Sequence, residues 1–335
     1  SNERQMNIGF TYDLKDDYLQ AGFSPVDVAE FDSIETIVGI EEALQSLGHT
    51  VDRIGSARSL IQRLCRGDRW DLVFNIAEGI KGMGREAQIP AILDVYHIPY
   101  VFSDPLVTTT LHKGMAKRIV RDGGIKTPDF RIVQTEEDVL AVNLSYPLFV
   151  KPLAEGTGKG IGSMSLIHSQ NDLITTCKNL MEYYHQPVLV EQFLPGREFT
   201  AGVIGTGKKA RVIGVMEICF LPTAESDIYG LKTKKRYKEF VQYKIPEHPL
   251  YDACADLALK VWHLLECRDG GRVDMRNNEQ GEPEFIEVNP LAGLHPVESD
   301  LPILARLHGI SYHDLIAQIM ESAIHRIFGD KNRES

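Results

Sequence analysis

Cysteine is scarce in this chain and forms no pattern. The five residues, Cys65, Cys177, Cys219, Cys254 and Cys267, are scattered, odd in number and include no C-x-x-C pair. That argues against a disulfide framework and a zinc site, and for a reducing compartment. Long apolar runs are missing as well. None approaches the ~18 residues that suggest a membrane span, and the first residues carry no charged-then-apolar leader pattern. A cytoplasmic protein with no membrane partner is expected. Positive charge is in deficit: 36 Lys and Arg stand against 47 Asp and Glu, for a formal net charge of −11. The broad basic footprint of a nucleic-acid binder is therefore absent, and no nucleic-acid partner is expected. An acidic protein can still bind ATP where local lysines and a metal ion meet the phosphates. Internal repeats and low-complexity tracts are lacking too.

What is present is an ordinary globular composition, 43% apolar and 25% charged, over 335 residues. That length suits two or three lobes, since single cores stop growing near ~250–300 residues. Strand patterns at 6–11, 50–54, 72–76 and 99–102 alternate with helix patterns at 33–47, 57–65 and 85–96. The alternation predicts a parallel α/β lobe, with 12–33 as a polar, irregular insertion. Ligands sit beyond the carboxyl ends of such strands, which points to Tyr12-Asp13 and to 75–79. A boundary is expected at Asp104-Pro105, followed by one helix over 108–122 that carries His112, Lys113 and Lys117. A strand over 146–152 then ends at Lys151, directly before a glycine-rich loop at 156–162. A helix over 171–184 and a strand over 188–194 lead to Gly196-Arg197-Glu198. Segments 199–204 and 210–217 read as an antiparallel pair. Segment 221–244 holds five lysines, one arginine and three tyrosines without periodicity, and a mobile loop is expected there. Helices are expected at 249–265, 301–308 and 312–327.

The most informative stretch is 270–289. Two strand patterns flank a turn at Asn277-Asn278 and predict a hairpin. Alternation sets Arg272 and Asp274 on one face of the first strand, and Glu287 and Asn289 on one face of the second. Two carboxylates, an amide and a guanidinium on one surface suit Mg²⁺, whose shell phosphate and water complete. The competing reading is a solvent-facing hairpin with ordinary charges. Other motifs are weaker. The 156–162 loop can present backbone N–H groups to phosphates, but Gly158-Lys159 is followed by Gly160, so it is no Walker motif. Lys113 and Lys151 gain weight only from position. Glu191 and Glu198 flank a strand end and can hold ribose hydroxyls or cap a turn. Glu78 lies in a strand-end segment that can face a substrate or form a plain turn. His112 and His308 read as structural, whereas His295 follows the hairpin and is a substrate candidate.

The order of these motifs resembles the ATP-grasp superfamily, and more closely the D-alanine–D-alanine ligase family, from about Leu72 to about Ile310. The pieces that carry the likeness are Val73-Phe74-Asn75, Ile98-Pro99-Tyr100, Val150-Lys151-Pro152, Gly196-Arg197-Glu198, Arg272-Val273-Asp274 and Glu287-Val288-Asn289. The resemblance implies an α/β chain: an N-terminal parallel α/β (pre-ATP-grasp) lobe over 1–104, then a two-lobed α+β ATP-grasp domain divided into 105–190 and 191–330. It implies that Lys113 and Lys151 meet ATP phosphates, with Glu155, Gly156, Thr157 and Gly158 at the loop that closes over them. Glu191 and Leu194 would hold adenine, and Glu198 ribose. Asp274, Glu287 and Asn289 would bind Mg²⁺, with Mn²⁺ as a substitute. Arg272 would stabilise an oxyanion, with Gly293 and Ser299 near the acceptor. Lys235 or Tyr237 of the 221–244 lid would reach inward. The implied chemistry joins two small amino-acid-like substrates through an acyl phosphate, in a family where homodimers are common.

The departures from that pattern fall in the amino-acid sites. The family's Gly-Gly-x-Ser-x-Glu segment is replaced by Tyr12-Asp13-Leu14, with Glu30 and Glu35 only nearby. Its His-Gly is Glu78-Gly79, its loop serine is Thr157, and Glu298 stands where histidine is common before Ser299. A ligase with substrates other than two D-alanines is therefore expected as an alternative. A non-catalytic ATP-binding protein and a bicarbonate-using carboxylase on the same fold are the readings from other classes.

Overall fold

The computed structural model describes residues 4–155, 166–220 and 241–329. The expected site residues Gly156, Thr157, Gly158, Lys235 and Tyr237 lie outside these, as does most of the expected 221–244 loop.

A three-stranded parallel sheet opens the chain, with β1 (Asn7–Thr11) between β2 (Thr50–Gly55) and β3 (Leu72–Asn75). Crossovers through helices cover both faces, as a parallel sheet requires. From helix α2 (Ile34–Ser46), Ile37, Ile40 and Leu44 pack with Ile8, Phe10 and Phe74. From helix α3 (Ala57–Cys65), Leu60 and Leu64 pack on the other side with Ile54, Trp70 and Val73.

Two expectations for this lobe need correction. Segment 12–33 is not wholly irregular: it contains helix α1 (Lys15–Gln20) and a parallel bridge from Leu14 to Asp32. The expected strand at 99–102 makes only an isolated bridge, Val73 to Tyr100. The chain turns out of register there, because Phe102 has φ 74° and gives its N–H to Asp269 Oδ2 at 2.8 Å. The helix at 85–96 is a short 3₁₀ turn, Arg85–Ala87, followed by α4 (Gln88–Val95).

The helix expected at 108–122 is two helices, α5 (Val107–Leu111) and α6 (Lys113–Asp122). His112 breaks them apart: its backbone leaves the helical region at ψ 97°, and its ring Nδ1 accepts from Met115 N at 3.0 Å. The imidazole thus caps α6 as serine or aspartate would elsewhere. Helix α6 lays Ala116 and Val120 against Phe199, Ala201 and Phe285 of the C-terminal sheet.

The middle of the chain forms a four-stranded antiparallel sheet. Its order is β4 (Phe130–Val133), β7 (Val188–Gln192), β5 (Leu148–Pro152) and β6 (Leu166–Ile167). Sequence reading left β4 as an extended segment beginning at Thr127-Pro128, and missed β6 and the short α7 (Glu136–Leu140), which a Thr135–Asp138 capping box starts. Helix α8 (Gln170–Tyr184) covers one face with Leu173 and Cys177. Strand β7 crosses residue 190, where the lobe boundary is expected.

The third sheet has five antiparallel strands. They run β10 (Val241–Lys244), β9 (Arg211–Phe220), β8 (Glu198–Ile204), β11 (Gly270–Asn277) and β12 (Pro283–Asn289). Residues 241–244, expected within the loop, are therefore an edge strand paired with Glu217–Phe220. Helix α9 (Leu250–Leu264) buries Trp262 on this sheet. Helices α10 (Asp300–Leu307) and α11 (Tyr312–Phe328) bridge back to the first lobe, where Leu301, Leu315, Ile316 and Ile319 share one core with Phe10 and Ile37.

Candidate active site

The β11–β12 pair forms with the register expected. Arg272 faces Asn289, and Asp274 faces Glu287. On its other edge β11 pairs with β8, which sets Thr200 opposite Asp274 and Glu198 opposite Arg276. Within this frame Arg272 Nη1 lies 2.6 Å from Asp274 Oδ1, and Thr200 Oγ1 donates to the same oxygen at 2.7 Å. Asn289 Nδ2 approaches Glu287 Oε1 at 3.5 Å. The competing reading of a solvent-facing hairpin fails, because Arg272 is buried and Asp274 and Glu287 are mostly so.

The two carboxylates titrate as one unit. Burial pushes Asp274 up, and the Glu287 carboxylate adds to it against the pull of Arg272. Burial also acts to raise Glu287, but Lys113, Lys151 and Arg272 outweigh it and hold that carboxyl low. A divalent cation would relieve the repulsion. The donor set fits a hard ion, with two carboxylates and an amide oxygen supplied by the chain and the remaining positions left to phosphate and water. Among the described residues no three His, Cys, Asp or Glu side chains gather into a metal-binding group.

Two lysines border this pair, and a third stands behind them. Lys113, first residue of α6, has Nζ 3.8 Å from Glu287 Oε2 and donates to the Glu155 carbonyl. Burial lowers its pKa. Lys151 closes β5 with Nζ 3.0 Å from Glu191 Oε1. Burial acts to lower it, yet Glu191 and Glu287 outweigh that and leave it above its ordinary value. Lys117 was not assigned from sequence, although it lies four residues from Lys113, on the same helical face. It is fully buried, with Nζ 3.0 Å from Glu191 Oε2. Glu191, expected beside adenine, therefore sits between two ammonium groups.

The hinge after β7 is braced from β11. The Arg276 guanidinium lies 4.9 Å from the Phe193 ring, and its Nε donates to Gly196 O at 3.1 Å. Leu194 and Glu198 are partly buried on either side of it. Burial raises the Glu198 pKa against the pull of Arg276. Glu155 receives Gln186 Nε2 at 2.7 Å and has Arg85 at 3.9 Å.

In the first lobe, Asp13 ties the loops after β1 and β3 together by accepting from Gly79 N at 2.9 Å. Gly79 has φ 71°, and a Cβ there would lie 2.6 Å from Arg85 O, so only glycine fits. Beside it Glu78 is raised well above the usual carboxylate range, by burial and by Glu30, Glu86 and Asp32. Burial and Asp13 push Asp32 up to about 8, and burial pushes Glu86 up to about 7 against the pull of Arg85. Sequence reading named Glu78 and Glu30 but missed Asp32 and Glu86; Asp32 joins the group only because segment 12–33 returns on itself, with Asp32 N donating to Asp13 O at 3.1 Å.

The loop after β12 is held by its own side chains. Ser299 Oγ accepts from His295 N at 2.9 Å, and His295 Nδ1 accepts from Val297 N and Glu298 N, each at 3.1 Å. A Cβ on Gly293 would lie 2.9 Å from Ser299 Oγ, so glycine permits this close return. The ring of His308, like that of His112, serves its own helix: Nδ1 meets Leu304 O at 2.9 Å.

The chain is similar to known proteins. Residues 119–321 match the family model described as D-ala D-ala ligase C-terminus. An uncharacterized protein of Sinorhizobium fredii, y4sG, is 31% identical, with 86% of this chain and 87% of the relative covered. A D-alanine–D-alanine ligase of Novosphingobium aromaticivorans is also 31% identical, with 85% of this chain and 90% of the relative covered. Among solved structures, the D-alanine–D-alanine ligase of Bacillus anthracis complexed with ATP superposes with a TM-score of 0.70 at 21% identity. That match covers 98% of this chain and all of the other.

Proposed function

We propose, from the premise that this chain belongs to the D-alanine–D-alanine ligase family, the following assignment of roles on its ATP-grasp fold. The protein is an ATP-dependent, ADP-forming ligase that makes a C–N bond between two small amino-acid-like substrates. The observation that carries the assignment is the buried set Arg272, Asp274 and Glu287, with Lys113 3.8 Å from Glu287. A carboxylate oxygen of the first substrate attacks the γ-phosphorus of ATP, ADP leaves, and an acyl phosphate remains. The amine of the second substrate attacks the acyl carbon, loses a proton, and expels phosphate.

Most of this catalysis is positioning and charge stabilisation. Lys113 and Lys151 take the phosphates, and Glu191 holds Lys151 in place. Leu194 and Glu198 flank the nucleoside, with Glu155, Gly156, Thr157 and Gly158 at the phosphate end. Arg272 faces the oxyanion of the tetrahedral intermediate. Asp274, Glu287 and Asn289 are the residues that would hold the divalent ion, Mg²⁺ with Mn²⁺ as substitute. When bound, that ion neutralises phosphate charge. Gly293, Ser299 and the His295 turn shape the acceptor side, and a further contact role is assigned to Lys235 or Tyr237, which lie outside the described residues. No described helix is long and apolar enough to cross a membrane; cytoplasmic location and a homodimer are part of this proposal.

The identity of the two substrates is what remains to be tested, and Glu78, which stands where the family carries histidine, is the departure that bears on it. The deciding experiment is ADP release with Mg²⁺-ATP across D- and L-amino acids, singly and in pairs, with products identified by mass spectrometry. D-alanine-dependent formation of the dipeptide assigns both sites to D-alanine. Turnover with another pair keeps the ligase and relocates the substrates. ATP binding without turnover on any pair sinks the reading in favour of a binding protein.

A further inference from the structure

Lys117 is an expensive residue to bury. Its side chain has 0% exposure, and it shares the Glu191 carboxylate with Lys151, each nitrogen 3.0 Å from one oxygen. Two lysines thus share one buried carboxylate, and burial lowers the pKa of Lys117 against the pull of Glu191. Apolar side chains of similar volume often serve stability as well as a buried ion pair does, or better. A purely structural role is thus a weak account of two lysines at one glutamate. Lys117 also makes a second connection. Its Nζ donates to Thr127 Oγ1 at 2.6 Å, and Thr127 Oγ1 donates in turn to Phe285 O at 2.8 Å. Phe285 lies on β12, two residues before Glu287.

We infer that Lys117 is a positioning residue of the nucleotide site, setting Lys151 through Glu191 and the Glu287 strand through Thr127. One helical turn earlier on the same helix, Lys113 stands 3.8 Å from Glu287. Helix α6 thereby fixes the spacing of three groups from three different elements: Lys113 on itself, Lys151 on the central sheet and Glu287 on the C-terminal sheet. The Lys117 side chain touches neither nucleotide nor metal ligand; it holds apart and in register the groups that do. The inference rests on the proposed phosphate role of Lys151.

The test is titration of a non-hydrolysable ATP analogue with Mg²⁺ into wild type, Lys117→Met, Lys117→Arg, Thr127→Val and Lys151→Met, with folding checked by thermal melts. Steady-state KM values for ATP and for the amino substrates are measured alongside. The expected result is analogue binding weakened roughly tenfold or more in folded Lys117→Met, by analogy with groups that orient ligands from behind. KM for ATP rises while KM for the amino substrates stays, and Lys117→Arg regains part of the affinity. Wild-type affinity in Lys117→Met, with Lys151→Met impaired, overturns the inference and leaves the phosphate reading standing. Wild-type affinity in Lys151→Met removes the phosphate reading, and the inference falls with it. Where Lys117→Met does not fold, Thr127→Val keeps every charge and decides: about fivefold weaker binding supports the connection, as loss of a hydrogen bond would give, and unchanged binding overturns it.

Discussion

Asp274 and Glu287 are direct cross-strand partners, and both carboxylates are drawn into the interior beside Arg272 and Lys113. Like charges placed opposite each other on a sheet destabilise it, so the pair is a liability that a divalent ion removes. Asp274→Asn and Glu287→Gln should each lower kcat at saturating ATP by roughly 100-fold or more, since the ion supplies several kcal/mol of charge stabilisation. The Mg²⁺ concentration for half-maximal rate should rise. In the absence of metal, Asp274→Asn should melt below wild type, because it takes from the buried Arg272 guanidinium its nearest carboxylate, and Mg²⁺ should raise its melting temperature less than that of wild type. Calorimetry with and without Mg²⁺ checks this, and an unchanged Mg²⁺ requirement in both variants would discard the metal assignment.

Arg272 is held on Asp274 and aimed from the same face. A preorganised donor to a developing oxyanion is worth about 100- to 1000-fold in rate. Arg272→Lys keeps charge but loses the planar fork. Its kcat should fall by about that factor while KM for ATP moves little. A variant that loses ATP affinity and keeps kcat would assign Arg272 to nucleotide binding instead.

The elements that sequence reading missed share a cause. Strand β6 is two residues long and α7 five, and neither is long enough for a period to stand out from a loop. The break at His112 was unreadable because its ring acts as a helix cap, a task usually assigned to shorter polar side chains. The β11–β12 pair was legible because period-two alternation over two adjacent strands fixes both face and register. Asp32 was invisible as a site residue for a different reason: its proximity to Glu78 is long-range and no local spacing encodes it, whereas Glu86 shares a loop with Glu78 but follows no periodic pattern there.

Asp269 fastens the first lobe to the C-terminal one. Its carboxylate accepts from Phe102 N at 2.8 Å, Ser322 Oγ at 2.9 Å and Arg326 Nη2 at 2.8 Å, and Arg326 Nη2 also donates to Tyr100 O at 2.8 Å. Removing one partner of a buried pair costs about 3–5 kcal/mol. Asp269→Asn should therefore lower the denaturant midpoint by the equivalent of about 3 kcal/mol. Urea unfolding followed by fluorescence reads it directly; a shift below about 1 kcal/mol would mean the other contacts of Arg326 suffice.

Glu78 should separate the substrate side from the nucleotide side. It belongs to the carboxylate group with Glu30, Glu86 and Asp32, while the nucleotide is assigned to Lys113, Lys151 and Glu198. Glu78→Gln should change KM for an amino substrate by about tenfold, the scale of one charge-assisted contact, with KM for ATP unaltered. A parallel rise in both would place Glu78 in the general architecture of the cleft.

The same group makes stability depend on pH, with a sign that can be worked out. Asp32 is raised from 3.8 to about 8 and Glu86 from 4.5 to about 7, burial being the main cause for both. Across the window from about 4 to about 8 the folded chain therefore retains protons that the unfolded chain has released. More protons bound in the folded state means that unfolding free energy falls as pH rises. The loss is complete above about 8 for Asp32 and about 7 for Glu86, and below pH 4 these groups contribute no difference. Asp32→Asn removes its share of the slope. It should melt with wild type near pH 4 and above it at pH 9, by the equivalent of about 1–2 kcal/mol, the usual size of a single-site effect. Thermal melts of both proteins at pH 5, 7 and 9, without nucleotide, measure the divergence. Parallel curves would show that Asp32 is already ionised at neutral pH and that a cation outside Lys15 compensates it.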